Sequence, residues 1–226
     1  MQDRIAAELL RVFPGNTEMA RRMRQIDWSQ TSMGPVSEWP ENLRLALGIC
    51  LTSRFPMHLW WGPDLTLFYN DAYISFLGPS KHPAMLGRSG CEAWAEVWDT
   101  IGPMINKVRS AGEASWSEDT LMFFDRQLPQ EEVYVTFSVS PVLGEDGTID
   151  GLYCTCSEVT GKIVGARRLD TLRQLGLLAE EHNAEEACRL AMSVISRNPW
   201  DIPCAALYLL DEDGHSARLT ASTGLE

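Results

Sequence analysis

Between Glu132 and Ser140 the chain alternates without a break, with Val133, Val135, Phe137 and Val139 on one side and Tyr134, Thr136 and Ser138 on the other. Only an extended strand with one buried face sorts side chains in this way, because a strand repeats every two residues and a helix every 3.6 or so. A half-buried strand needs partners, and the flanking sequence supplies them. Ser117 to Phe124 and Ile149 to Glu158 are strand-like, and Glu145-Asp146-Gly147 is a hairpin turn before the second of these. Upstream, Met57 to Trp61 and Leu65 to Tyr69 form a short pair around Gly62-Pro63-Asp64. Two strands, several short helices and then three antiparallel strands predict an α+β fold rather than alternating strand–helix units.

Helical periods dominate at both ends. Ile5, Ala6, Leu9, Leu10 and Phe13 share a helical face that Pro14-Gly15-Asn16 stops. A second helix is expected over Glu18 to Ile26, then a turn-rich connector from Asp27 to Pro40, then a helix over Glu41 to Leu51. Asn70 is a good N-cap for the helical stretch it opens, and a helix from Thr100 to Ser110 ends at Gly112. After Thr160 the chain turns helical through Ala179, with Leu169, Leu172, Leu175 and Ala179 at 3-3-4 spacing. A helix over Ala184 to Ser196 and a hairpin, Ala205 to Leu210 and Ala217 to Ala221 around Asp211-Glu212-Asp213-Gly214, close the chain.

Length and composition limit what such a chain does. With 226 residues, 45% hydrophobic and 22% charged, it can bury a core and holds one full domain plus something smaller. Its net charge of −12 and isoelectric point near 4.8 exclude an unspecific grip on nucleic acid or on anionic membrane. No run of about 18 apolar residues spans a bilayer, and the first twenty or so residues lack the apolar core of a signal peptide, so a cytoplasmic location is expected. The six cysteines, Cys50, Cys91, Cys154, Cys156, Cys188 and Cys204, have no zinc-site spacing and read as reduced thiols.

Several strings within this framework resemble PAS domains. Trp60-Trp61-Gly62-Pro63 followed by Phe68-Tyr69-Asn70-Asp71-Ala72-Tyr73 is similar to their first strand pair and helix. Leu86-Gly87-Arg88 resembles the tripeptide that leads into their ligand-facing helices, and Glu158-Val159-Thr160 resembles the Asp-Ile-Thr that closes their last strand. The string Asp27-Trp28-Ser29, Gly34-Pro35 and Trp39-Pro40-Glu41-Asn42-Leu43 resembles the helical extension in front of PAS domains of bacterial hybrid histidine kinases. In those proteins a GAF domain follows, and Arg167 to Glu226 looks like the front of one. The resemblance implies a helical extension over 1–54 and a PAS domain over 55–160, a five-stranded antiparallel sheet with helices on one face. A helical linker over 161–182 and the first part of a GAF domain over 183–226 would follow. It further implies a signal-input module feeding histidine kinase domains of the same chain.

No catalytic set is visible. The four histidines sit in different segments, no serine or cysteine lies in a nucleophile elbow, and Gly87-Arg88-Ser89-Gly90 lacks the lysine of a phosphate loop. Binding is the better expectation, because a sheet covered by helices can enclose an apolar cavity. Alternation places Leu152, Cys154 and Cys156 on one face of the last strand, so Cys154 and Cys156, with Trp94 and Trp98 from the helices, are the candidate cavity lining. Flavin is not expected: by resemblance, flavin binders carry glutamine at the Cys156 position and an Asn-Cys-Arg-Phe string where this chain has Ser89-Gly90-Cys91-Glu92. Haem is not expected either, since Thr100 to Ser110 holds no histidine and a ligand would have to come from His58, His82 or Cys91. Packing is the favoured role for the tryptophans Trp60, Trp61, Trp94, Trp98 and Trp116, and His58 reads as an ordinary satisfied histidine.

Two further expectations concern the helices and the thiols. Ile5 to Phe13 and Leu169 to Ala179 both carry apolar stripes, one of which needs a second chain to cover it, so a homodimer is expected. A ligand-free dimerisation scaffold is the alternative to small-molecule sensing. A redox pair of Cys154 and Cys156 is weaker still, because residues two apart on a strand have Cα atoms about 6.5–7 Å apart, near the limit for a disulfide.

Overall fold

The computed structural model describes residues 2–180, 183–211 and 214–225. Glu212 and Asp213 in the expected last turn, Glu181 and His182 at the end of the linker, and the side chain of Ala179 lie outside the described residues. The N-terminal helices are α1 (Gln2–Val12), α2 (Glu18–Gln25) and α3 (Glu41–Thr52). They are followed by strands β1 (Met57–Trp61) and β2 (Thr66–Tyr69). Helices α4 (Ile74–Lys81, broken at Gly78), α5 (Gly90–Ala93) and α6 (Trp98–Ala111) lead to β3 (Ser115–Phe124), β4 (Glu131–Leu143) and β5 (Ile149–Glu158). Helices α7 (Thr160–Gly176) and α8 (Ala184–Ile195) and strands β6 (Ala205–Leu210) and β7 (Ala217–Thr223) complete the chain. The chain divides into two compact units, Met1–Thr160 and Gly161–Glu226.

The first unit is built on one five-stranded sheet in the order β2-β1-β5-β4-β3, with every neighbouring pair antiparallel. This is the α+β PAS fold that the motifs imply. Its register sorts the side chains. His58 stands opposite Tyr69 and Cys154, and Leu59 opposite Phe68 and Tyr153. Opposed residues of an antiparallel pair share a face. His58, Trp60, Leu152, Cys154 and Cys156 therefore look toward the helices between β2 and β3, and Leu59 and Phe68 look the other way.

That second face is covered where β1 and β2 lie. The rings of Trp28 and Trp39 sit 5.2 Å and 5.6 Å from Phe68, and Phe13 at the end of α1 packs on both tryptophans. Leu43, Leu47 and Cys50 of α3 are fully buried in the same core. Residues between Val12 and Leu51 thus contribute to the core of the first unit, which takes in both the helical segment and the sheet. Gly87 shows how close the fit is: its φ of +75° favours glycine, and a Cβ there would lie 3.1 Å from the Trp28 ring.

Short polar contacts lock the two layers. Asn70 is 1% exposed, and its Oδ1 accepts from the backbone N–H of Met57 and of Tyr73, both at 3.1 Å. Its Nδ2 donates to the carbonyls of Cys50, Ser53 and Phe55 at 3.1, 3.2 and 2.6 Å. Next to it, Asp71 accepts from the N–H groups of Glu18 and Met19 and so caps α2. At the far edge Arg126 donates to both oxygens of Glu158 at 2.8 Å, and Thr160 Oγ1 accepts from the Tyr134 N–H at 2.9 Å.

The second unit is thinly packed. Its β6–β7 pair is a two-stranded sheet, and among its described residues only Met192 and Asn198 are buried. Asp201 holds Arg167 and Arg168, both at 2.7 Å. A lone two-stranded ribbon is marginal in water.

Removing the Asn70 amide leaves buried backbone groups of α3, the α3–β1 connection and Tyr73 without partners. Asn70→Ala is expected to destabilise the first unit by about 3 kcal/mol or more, read from urea unfolding. A loss under about 1 kcal/mol would show that water or relaxation replaces those bonds.

Candidate ligand cavity

Between the first face of the sheet and α4–α6 the close packing is interrupted by a cavity of about 40 Å³. The strands contribute His58 and Trp60 from β1, Met122 and Phe124 from β3, Val135, Phe137 and Val139 from β4, and Cys154 and Cys156 from β5. Tyr73, Phe76, Trp94, Val97, Ile101 and Met104 close it from the helical side. Each strand residue is there because period-2 alternation delivers every second side chain to one face.

His58 dominates the chemistry of this wall. The residue is 3% exposed, its ring lies 4.5 Å from those of Trp60 and Tyr73, and neither ring nitrogen has a hydrogen-bond partner. Burial pushes its pKa down to about 3, so the imidazole is neutral at physiological pH. The indole N–H groups of Trp60 and Trp94 also lack partners, the Tyr73 hydroxyl coming near that of Trp94 without meeting hydrogen-bond geometry. Gly90 makes room for the Trp60 indole, since a Cβ there would lie 2.4 Å from its Nε1.

The expected lining residues divide. Trp94, Cys154 and Cys156 stand on the cavity wall. Trp98 does not: it is half-buried and packs edge-on against Trp60, 6.4 Å between ring centroids, one layer behind the wall. Trp61 is buried, but it alternates with Trp60 and so belongs to the opposite face, and Trp116 is exposed. The two cysteines are unpaired, and burial raises both thiols well above their ordinary value. A thiolate, the species that attacks a disulfide, is therefore disfavoured at this site.

His58 is the residue that the sequence reading missed. It was expected to be satisfied, and the structure shows it buried without a partner. The available signal was its place in Met57-His58-Leu59-Trp60-Trp61, one position in phase with Trp60 on the face opposite Leu59. A space of about 40 Å³ is far below the roughly 300 Å³ and more of a cofactor-sized site. Cys156 stands on this wall, and His82 is engaged by Tyr69 at 2.9 Å and Glu18 at 3.1 Å.

The buried imidazole ties stability to pH. Its pKa is about 3 in the folded chain and near 6.5 when unfolded, so below about pH 6.5 the unfolded chain binds a proton that the folded chain refuses. Stability is complete above that pH and is lost as pH falls toward 3. Between about pH 7 and pH 5 this group accounts for a loss of about 2 kcal/mol. His58→Phe should remove that share of the pH dependence of the urea midpoint, and an unchanged slope would place the ring in contact with water.

No family model and no curated protein matches the chain. Among solved structures, a sensory box sensor histidine kinase from Vibrio cholerae is 22% identical over 52% of this chain and 91% of its own, with a TM-score of 0.37. The PAS domain of Bordetella pertussis BvgS is 18% identical over 59% of this chain and 98% of its own, with a TM-score of 0.44. An RNA-binding light-oxygen-voltage receptor is 17% identical over 80% of this chain and 67% of its own, with a TM-score of 0.42.

Proposed function

We propose that the chain is the signal-input part of a longer bacterial two-component sensor and that its first unit receives a small molecule in the cavity beside His58. The observation that carries this reading is the gap itself. Protein interiors pack like molecular crystals, and buried polar groups are normally paired. Here a void and unpartnered polar atoms coincide, and each orphaned group costs about 1–3 kcal/mol. A ligand that fills the void and pairs those atoms recovers that cost. A ligand-free scaffold has no use for the arrangement.

In this reading the second unit is a helical linker over 161–182 and the front of a GAF domain over 183–226. It passes the state of the cavity to histidine kinase domains of the same chain, in the cytoplasm and without catalysis of its own. The linker helix favours a paired arrangement. Val12 at the end of α1 and Phe13 after it are buried within their own unit, whereas Ile5 and Leu10 of α1 are 52% and 56% exposed and Leu169 and Leu172 of α7 are 67% and 65% exposed. Covering such leucines is worth about 1.5–3 kcal/mol each. No described helix is long and apolar enough to cross a membrane.

Thermal unfolding of the full chain against a collection of small molecules tests the receiving site. A compound at about one hundred times its Kd should stabilise by about 2.7 kcal/mol, and Val139→Phe, which fills the cavity from β4, should abolish the effect. Stabilisation that survives in a folded Val139→Phe protein would move the site elsewhere and sink this reading. Light scattering at about 100 µM should give a dimer that Leu172→Asp separates. A monomeric wild-type chain would remove the paired-helix relay.

A further inference from the structure

Resting on the small-molecule reading above, we propose that the cavity takes a neutral, planar molecule of one aromatic ring carrying a hydrogen-bond acceptor. His58 is its polar anchor, and the Met104–Met122 wall is its door. The charge follows from the lining, which contains no ionised side chain. An ion moved there would lose its hydration with nothing to replace it. The shape follows from the rings of Trp60, Tyr73, Phe76, Trp94 and Phe124 on the wall, which offer faces and edges against which a flat ring packs.

The polar demand follows from the unpartnered atoms. A neutral imidazole offers one donor and one acceptor whichever nitrogen carries the proton. His58 therefore presents one donor and one acceptor to the cavity. A ligand must bring at least one good acceptor, and one that also donates can satisfy the remaining imidazole nitrogen. A plain hydrocarbon of the same size would leave both unpaired.

Size sets the door. About 40 Å³ is room for roughly three waters, so a ring requires the wall to move. The same Ile101, Met104, Met122 and Phe137 that bound the cavity also floor a groove of about 380 Å³ between α6 and β3. Two of these four are methionines, whose unbranched chains repack at little cost. The backbone is irregular on both sides of them. Pro103 lies within α6, and β3 shifts register between Ser117 and Thr120, with Asp119 at a φ of 48°. Swinging Met104 and Met122 aside opens the cavity to this groove, in which the Lys107 side chain is exposed to solvent.

The full chain is titrated calorimetrically with pyridone (neutral, one ring, carbonyl beside N–H), toluene (same size, apolar) and benzoate (same ring, charged). Pyridone is expected to bind at least about tenfold tighter than toluene, and benzoate not to bind. His58→Phe should bring pyridone down to the toluene level while leaving toluene binding in place. Should that variant not fold, nitrogen chemical shifts of the His58 ring in the wild type serve instead: pyridone should move them and toluene should not. Equal affinity for pyridone and toluene, preference for benzoate, or only ordered water at His58 with no probe bound would each overturn the proposal. The receiving-site reading fails separately, only if no compound stabilises the wild type in a way that Val139→Phe abolishes.

Discussion

The single side chain of Asn70 ties the first unit together, its oxygen accepting two hydrogen bonds and its two N–H hydrogens shared among three carbonyls. These bonds gather the end of α3, the connection to β1, the first residue of β1 and the turn that starts the helical layer. Both layers on the sheet therefore meet at one buried amide. Such a network is worth more than its average bond, because losing the amide strands several backbone groups where water does not reach. Asp71 extends the joint by capping α2, so one dipeptide holds the N-terminal helices on the sheet. With that joint made, Phe68 can rest against Trp28 and Trp39 on one face while His58 and Trp60 are left to the other.

The two faces are packed to different standards. On the Phe68 side, three aromatic rings from the N-terminal segment fill the space, and the indoles of Trp28 and Trp39 donate to backbone carbonyls. On the His58 side, aromatic and sulfur-bearing side chains surround a void, and the indole N–H groups of Trp60 and Trp94 are unpaired. The same residue type is satisfied on one face and unsatisfied on the other. The contrast marks the face on which packing is left incomplete.

The ends of the sheet carry a second kind of organisation. Arg126, 8% exposed at its side chain, bridges Glu131 and Glu158, and the guanidinium beside Glu158 holds that carboxyl below its ordinary value. Thr160 and Val159 bond back to Tyr134. The residues that end β5 thereby fix where α7 begins.

What could be read from the sequence was whatever depends on local period. The alternation at Val133–Val139 and the turn at Gly147 placed the strands within a few residues, and the face bearing Leu152, Cys154 and Cys156 was assigned correctly, because a strand period leaves no choice of side. Asn70 was legible as a cap, but not as the joint between layers. Its partners at Cys50, Ser53 and Phe55 lie 15–20 residues away, and no local pattern encodes that distance. The sequence pattern puts Trp98 on the cavity wall and reads His58 as satisfied for the same reason. Whether a side chain lines a void or stands behind another, and whether a buried nitrogen finds a partner, depends on how separate elements meet in three dimensions. Period determined which residues face inward, and only the tertiary structure decided where the interior stays hollow.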